Sequence, residues 1–417
     1  MKVLIVGLGG VTTTFRNWPE RIVALALARR GHQVRAIGTH DPRRPALATR
    51  HEMIEHVTVQ RVRSGYWPNN ELAAALEHGP RPDVIHFMHP RNVLAAQTTV
   101  WAKHHDIPTL FTWLGPYHDA YLAPNREQPF DQPANYAGPI WTRSQLIQRS
   151  SKTLSPRTLR DHLRNYRLHW PLQQAHHLIP CSRFEAEEMR RMGMTQPLTM
   201  VPLWIDADSI IRQPLHPPEL QHPRPWILFV GQITPRKGYD LALHAMPTIL
   251  KHYPTASLLM VSGINHAERA ALNQISDELK ITSHVHFLGR QDDAALVNLF
   301  RACDVYVTPT RYEGFGLTLL EAMTAGAPIV ASDIPVVNEI VRSDENGLLA
   351  RANDPDAFAT AIIRLLADPE LRNRLRCSGV KTVEDHYDET SLIAQIEAIY
   401  RSVQLRHHLR PESLGML

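Results

Sequence analysis

The chain opens with Met1-Lys2-Val3-Leu4-Ile5-Val6-Gly7-Leu8-Gly9-Gly10, an apolar run of strand length followed by a loop that holds three glycines. Asn17 and Glu20 stand at capping-box spacing, which predicts a helix over 21–30. A second apolar run at 33–37 has the length of a strand. Strand, glycine loop, helix and strand in this order form a βαβ unit, so the sheet should be parallel.

The same alternation continues along the chain. Residues 116–139 lack periodicity and are interpreted as a long loop, and long loops in compact domains often carry function. Further strands are predicted at 57–62, 84–88, 109–113 and 177–180, and then at 226–230, 257–262, 285–288, 305–308 and 328–331, where helices alternate with them. The predicted fold is therefore α/β, with two doubly wound Rossmann-like domains facing each other across a cleft.

A proline-rich stretch at 202–225 indicates the boundary between these domains. We assign residues 1–208 to a first domain and residues 209–385 to a second. Residues 386–417 form a terminal helix and tail, and that helix is a candidate to cross back onto the first domain.

Composition excludes several classes of protein. The 417 residues carry 45 Lys and Arg against 41 Asp and Glu, and a net charge of +4 is too small to indicate nucleic-acid binding. Three dispersed cysteines show no metal-ligand spacing and fit a reducing compartment. The start lacks a signal-peptide pattern, and no apolar run reaches the about 18 residues of a membrane span. We therefore expect a cytoplasmic protein, with at most peripheral contact at the inner membrane face.

The residues with the clearest chemical signal are Thr310-Arg311-Tyr312-Glu313-Gly314-Phe315-Gly316-Leu317-Thr318-Leu319-Leu320-Glu321. Glu313 lies in a glycine-bearing loop after a predicted strand, and Glu321 lies one turn into the helix that begins at Leu317. Gly314 and Gly316 allow a ligand to approach the backbone closely, and the helix start offers free N–H groups to phosphate. Two carboxylates that flank a phosphate site suit a sugar nucleotide, although an ordinary surface loop is the alternative.

A second segment, Phe229-Val230-Gly231-Gln232-Ile233-Thr234-Pro235-Arg236-Lys237-Gly238, places two cations after another strand. Lys237 is a point charge suited to a diphosphate, and Arg236 adds a fork of N–H donors. A basic turn pointing at solvent is the alternative interpretation. Both segments should meet at the same edge of the sheet.

These residues resemble the retaining glycosyltransferases of family four, which share the GT-B fold. The resemblance covers nearly the whole chain, and the two glutamates in this order are its most specific part. It extends to Gly9-Gly10, Gly31-His32-Gln33-Val34, Cys181-Ser182-Arg183, Val201-Pro202 with Asp206, Val285-His286-Phe287-Leu288-Gly289, Gly326-Ala327-Pro328-Ile329-Val330-Ala331 and Asn346-Gly347-Leu348.

The resemblance implies transfer of a sugar from a nucleotide-diphosphate donor, with front-face attack and retained configuration. Glu313 would contact donor-sugar hydroxyls, and Lys237 would stabilise the leaving diphosphate. Gly314, Phe315, Gly316 and Leu317 would offer amides, and Glu321 would bind the ribose. Neither a metal nor a cofactor beyond the donor substrate is expected. The implied acceptor is a growing glycan or a lipid-linked saccharide. The resemblance makes residues 1–208 the acceptor-side domain and residues 209–385 the nucleotide-sugar-binding domain.

Two positions depart from the pattern of the family. Gln232 replaces an arginine of the phosphate loop, so that Arg236 is the candidate to supply the missing charge. Leu114 stands where the family often has a histidine, which makes His118 the nearest candidate to face the donor sugar as a catalytic group. The predicted donor-binding residues also include Gly10, Gln232 and Arg236.

A basic segment at 141–170 mixes arginines with leucines, as an amphipathic helix on an anionic membrane or a solvated basic face would.

The pairs His104-His105 and His176-His177 are adjacent in sequence, which argues against a shared metal. The sequence leaves three alternative functions: a sugar-nucleotide epimerase, a non-catalytic sugar-nucleotide-binding relative, and a nicotinamide dehydrogenase. The last is disfavoured because Thr12 stands where a third glycine is expected.

Overall fold

The computed structural model describes residues 1–14, 16–65, 67–89, 92–114, 140–152, 155–216, 218–263 and 266–409. The chain forms two compact units. The first holds the described residues up to Trp204 together with the helix that starts at Glu389, and the second runs from Ile205 to Asp388. These divisions lie within a few residues of the predicted boundaries at 208 and 385.

The first unit is built on a seven-stranded sheet with the order β3-β4-β2-β1-β5-β6-β7. Its elements are β1 (Lys2–Val6), α1 (Pro19–Arg29), β2 (Gln33–His40), β3 (His51–Ile54), β4 (Val57–Arg63), α2 (Asn70–Glu77), β5 (Val84–Met88), α3 (Ala95–His104), β6 (Thr109–Thr112), α4 (Arg143–Ser150), α5 (Pro156–Gln174), β7 (His177–Ile179) and α6 (Arg183–Arg191). The strand order reverses between β1 and β5, as in doubly wound sheets.

Two local predictions for this unit are wrong. β3 pairs with β4 in the antiparallel direction, so the sheet is parallel except at this edge. Helix α1 is preceded by Trp18, whose side chain makes no capping hydrogen bond, in place of the capping box predicted at Asn17 and Glu20. The Glu20 carboxylate instead accepts hydrogen bonds from the backbone of the glycine loop.

The second unit is built on a six-stranded, wholly parallel sheet with the order β10-β9-β8-β11-β12-β13. Its elements are α7 (Ala207–Ile211), β8 (Trp226–Val230), α8 (Tyr239–His252), β9 (Ser257–Val261), α9 (His266–Glu278), β10 (Val285–Gly289), α10 (Asp293–Ala302), β11 (Val305–Thr308), α11 (Leu317–Thr324), β12 (Ile329–Asp333), α12 (Pro335–Asn338), β13 (Leu348–Arg351), α13 (Pro355–Ala367) and α14 (Pro369–His386). The doubly wound α/β prediction is confirmed for both units.

The last helix, α15 (Glu389–His408), belongs to the core of the first unit. Leu392, Ile396 and Tyr400 are buried in one cluster with side chains of β1 and α1. The Tyr400 hydroxyl lies 2.6 Å from Nδ1 of His86, a fully buried residue of β5. Burial lowers the pKa of His86 to about 3, so this imidazole is neutral at ordinary pH.

Candidate functional site

The two chemical segments follow neighbouring strands at the point where the strand order of the second sheet reverses. β8 and β11 pair in parallel, with Phe229 opposite Val307. From β8 the chain proceeds outward to β9, and from β11 it proceeds outward to β12 on the other side. Because ligands of open α/β sheets bind beyond the carboxyl ends of the strands at such a switch point, the fold favours a site between these loops.

Lys237 and Glu313 meet across this switch point. Lys237 Nζ lies 2.6 Å from Glu313 Oε2, and Arg236 Nη1 lies 3.6 Å from Glu313 Oε1. All three side chains are mostly buried yet reach solvent. Burial by itself raises the pKa of Glu313, but the charges of Lys237 and Arg236 outweigh it and hold the pKa below its usual value. The carboxylate is therefore ionised at neutral pH and lies beside two cations.

Arg311 and Asp240 join the same two loops, and the sequence did not reveal them. The Arg311 guanidinium donates to both Asp240 oxygens, at 2.7 and 2.6 Å, and to the Pro235 carbonyl at 2.7 Å. Such a bidentate pair fixes geometry as well as charge. These hydrogen bonds hold the two loops together. Because Asp240 neutralises the charge of Arg311, the cations that lie beside Glu313 are Lys237 and Arg236.

Glycines permit the close approach of the loops. Gly238 has φ +66°, and a Cβ there would lie 1.8 Å from the Pro309 carbonyl oxygen. Gly316, with φ +104°, precedes α11 and provides no side-chain cap. The first N–H groups of an α-helix have no acceptor within the helix, so those at Leu317 and Thr318 are positioned to receive an anion.

The other predicted donor-binding residues lie around this centre. Gly314 is buried, and its N–H donates to Glu313 Oε1 at 3.1 Å. Phe315 is 7% exposed and packs edge-on against Tyr387, so its side chain belongs to the core. Gln232 is exposed beside the loop, and Glu321 is partly exposed in α11. Burial raises the pKa of the Tyr306 phenol, and Glu313 and Glu321 raise it further, which places both carboxylates near that ring.

Gly10 belongs to the glycine loop of the first unit, which differs from a dinucleotide-binding loop. Glu20 Oε1 accepts from the N–H groups of Leu8 and Gly9 at 3.2 and 3.4 Å. A side chain on Gly7 would meet Glu20 at 2.5 Å. The carboxyl group of Glu20 thus occupies the place that a bound phosphate would take on these amides, which weighs against the dehydrogenase alternative.

In the described parts of the chain, no group of three His, Cys, Asp or Glu residues is arranged to hold a metal ion. His104 and His105 contact each other edge-on, while His176 accepts from the Thr109 N–H. His118 lies outside the described residues, so its predicted role stays a prediction. Within the described ranges, no helix has the length and apolar character required to cross a bilayer.

Two family models together match most of the chain. "Glycosyltransferase Family 4" matches residues 9–209, and "Glycosyl transferases group 1" matches residues 213–382. The second match contains Lys237, Glu313 and Glu321 in the arrangement described above. The chain belongs to glycosyltransferase family 4. This confirms the resemblance inferred from the glutamate segment.

Curated relatives of this family 4 protein share about a third of the aligned residues. The chain is 35% identical over 180 residues to phosphatidyl-myo-inositol mannosyltransferase of Mycobacterium leprae, covering 42% of this chain and 46% of the relative. It is 35% identical over 183 residues to D-inositol 3-phosphate glycosyltransferase of Acidothermus cellulolyticus, covering 42% and 40%. The matched part therefore spans less than half the length of each relative.

Solved structures confirm the GT-B fold of this family 4 member. Sucrose-phosphate synthase of Thermosynechococcus elongatus matches with a TM-score of 0.70 and 21% identity, covering 97% of this chain and all of the other. HepE of Anabaena, solved with UDP and glucose, matches with a TM-score of 0.69 and 16% identity over 96% of this chain and all of HepE. At these identities the likeness establishes the fold.

Proposed function

We propose that this family 4 protein transfers a sugar from a nucleotide-diphosphate donor to a hydroxyl acceptor with retention of configuration. The observation that carries the proposal is the placement of Lys237, Glu313 and the start of α11 at one switch point. Cations and helix amides suit a diphosphate, and carboxylates suit the hydroxyls of a sugar and a ribose. The nucleotide bound to HepE is consistent with this class of ligand.

The ion pair suggests how the site responds to the donor. Lys237 Nζ lies 2.6 Å from Glu313 Oε2. A bound diphosphate competes for the ammonium group and leaves the Glu313 carboxylate to accept hydrogen bonds from the donor sugar. Lys237, Arg236 and the α11 amides then stabilise the charge that develops on the leaving phosphate, and this electrostatic role requires no metal.

The chemical step is a front-face displacement. The acceptor oxygen bonds to the anomeric carbon as the bond from that carbon to the phosphate oxygen breaks. The proton of the acceptor hydroxyl passes to the leaving phosphate oxygen, and the products are a glycoside and a nucleoside diphosphate. Glu313 and Lys237 are the catalytic residues of this step, and Glu321 holds the ribose. Gly10 stays a predicted donor-binding residue, and His118 stays a predicted catalytic residue.

The proposed acceptor is a glycan or a lipid-linked saccharide. Two of the relatives are named for transfer to phosphatidyl-myo-inositol and to D-inositol 3-phosphate, which are hydroxyl-rich acceptors with phosphate groups. An enzyme acting on a lipid-linked acceptor would work in the cytoplasm, in peripheral contact with the inner membrane face.

The test combines a donor panel with matched variants. Calorimetric titration with UDP-, GDP- and ADP-sugars should identify one nucleotide class that binds without added metal, and turnover should persist in a chelator. Glu313→Gln should reduce turnover at least about 100-fold, the loss typical of removing one electrostatic contact to the transition state. It should not weaken binding of the nucleoside diphosphate, because Lys237 is then released from its carboxylate partner.

Glu345→Gln is the matched control, since Glu345 lies in the same unit and its side chain is 66% exposed. It should leave turnover unchanged. Nuclear magnetic resonance of the product should show the anomeric configuration of the donor. Turnover of the donor without a glycoside product would support the epimerase instead. Donor binding without any turnover would support the non-catalytic relative.

A further inference from the structure

Helix α4 is a short helix whose residues all remain outside the core. None of its residues between Arg143 and Ser150 is buried. Its start is nevertheless fixed by a capping box, in which the Gln145 N–H donates to Thr142 Oγ1 and the Thr142 N–H donates to Gln145 Oε1. Ile147 lies in the middle of this helix with 68% of its surface exposed. Because α4 contributes no side chain to the core, Ile147 presents its apolar surface to solvent.

The start of α5 adds a second exposed apolar side chain to the same region, because α4 and α5 pack against each other. Leu159 is 48% exposed. We define the α4–α5 surface by its exposed residues Arg143, Ile147, Lys152, Arg157, Leu159 and Arg160.

The α4–α5 surface is strongly basic. Residues 141–170 contain a single acidic residue, Asp161, and its Oδ1 lies 3.6 Å from Arg164 Nη1. The basic residues of this range are Arg143, Arg149, Lys152, Arg157, Arg160, Arg164 and Arg167. The net charge of the whole protein is only +4, so positive charge is concentrated here.

An aromatic side chain extends this region. Arg160, Arg164 and Arg167 recur at spacings of three and four residues, which places them on one side of α5. The Arg167 guanidinium lies 5.9 Å from the ring centre of Trp67, which is 49% exposed. Tryptophan is enriched where proteins meet the polar layer of a bilayer.

We propose that the α4–α5 surface binds an anionic lipid bilayer, with Ile147 and Leu159 inserting between headgroups and the surrounding cations contacting lipid phosphates. This inference rests on the proposed function, because a lipid-linked acceptor would be presented at such a surface. Exposed aliphatic side chains within a basic helical face are typical of interfacial helices. A nucleic-acid site would rely on stacking aromatics, whereas the six residues that define the α4–α5 surface include two aliphatic side chains and no aromatic one.

Vesicle binding tests the proposal. The full-length protein is mixed with vesicles of equal parts phosphatidylcholine and phosphatidylglycerol, or of phosphatidylcholine alone, and pelleted. We expect binding to the anionic vesicles only. The triple variant Arg143→Ser, Lys152→Ser, Arg157→Ser should bind about 100-fold more weakly, because each basic side chain near an anionic surface strengthens binding about fivefold.

Matched controls separate charge, insertion and folding. Arg43→Ser with Arg44→Ser and Lys251→Ser removes three exposed cations outside the surface and should leave vesicle binding unchanged. Ile147→Asn should weaken vesicle binding, whereas Met53→Gln, at a residue 70% exposed on β3, should not. Each variant is first checked for wild-type circular dichroism and thermal unfolding.

Donor titration without vesicles distinguishes the two proposals. All of these variants should bind the nucleotide sugar as the wild type does, whether or not they bind vesicles. The inference is overturned if the wild type ignores anionic vesicles, or if the triple variant binds them as well as the wild type. It is also overturned if the surface binds a single-stranded RNA homopolymer and Ile147→Asn has no effect on vesicles.

Discussion

Replacing Glu20 by Gln should change the pH dependence of folding of the first unit. Glu20 is 2% exposed and accepts hydrogen bonds from Leu8 and Gly9. Burial raises its pKa from 4.5 to about 7, although these hydrogen bonds favour the charged form. Glutamine has the same shape and stays neutral, so it resembles the protonated glutamate at every pH.

The sign of the effect follows from proton linkage. Between pH 4.5 and about 7, the folded state holds a proton on Glu20 that the unfolded state has lost, so the wild type loses stability as pH rises through this window. Each pH unit within this window lowers the free energy of unfolding by about 1.4 kcal/mol, which gives a loss of about 3 kcal/mol across the window. Above pH 7 the loss is complete. The Glu20→Gln protein lacks this contribution.

Urea unfolding of both proteins, followed by tryptophan fluorescence, measures the effect. The free energy of unfolding of Glu20→Gln, relative to the wild type, should rise by about 3 kcal/mol between pH 4.5 and pH 7. Glu71→Gln is the control in the same unit, because a hydrogen bond from Arg50 is the main cause that lowers the pKa of Glu71, and this carboxylate stays ionised throughout the window. A difference between Glu20→Gln and the wild type that does not vary with pH would refute the reasoning.

Two further predictions concern packing. Gly238→Ala should lower the free energy of unfolding by about 3 kcal/mol or more, because it combines a left-handed backbone with a clash against the Pro309 carbonyl. Gly31→Ala, where φ is +84° and the space is open, should cost only about 1 kcal/mol, and equal losses in urea unfolding would contradict the argument. Tyr400→Phe removes the hydrogen bond to His86 and should cost about 2 kcal/mol by thermal unfolding. This loss should be the same at pH 5 and pH 8, since His86 stays neutral.

The sequence predicted the central elements well because local periodicity and chain breakers agree there. The strand Trp226–Val230 and the helix Tyr239–His252 have the predicted bounds, since an apolar run ends at Gly231 and the helix follows Gly238. The antiparallel direction of β3 was not predicted, because it depends on pairing with β4 and the four residues of β3 contain no pattern that indicates this pairing.

The candidate site shows a similar division. Lys237 and Glu313 were predicted from their places after two strands, and the structure brings them into contact. Arg311 and Asp240 are 71 residues apart, and nothing local marks them as partners. Glu20 was interpreted as a helix cap because the capping-box pattern indicates only a carboxylate near free amides. In the folded chain those amides belong to the preceding loop.

The place of α15 in the core of the first unit has a consequence for synthesis on the ribosome. The described residues of the second unit lie between Ile205 and Asp388, so the core that they form has been translated before residue 389 is added. The first unit, whose strands are made earliest, lacks Leu392, Ile396 and Tyr400 until translation has passed them. The half of the protein that begins first is thus the half that acquires its complete interior last.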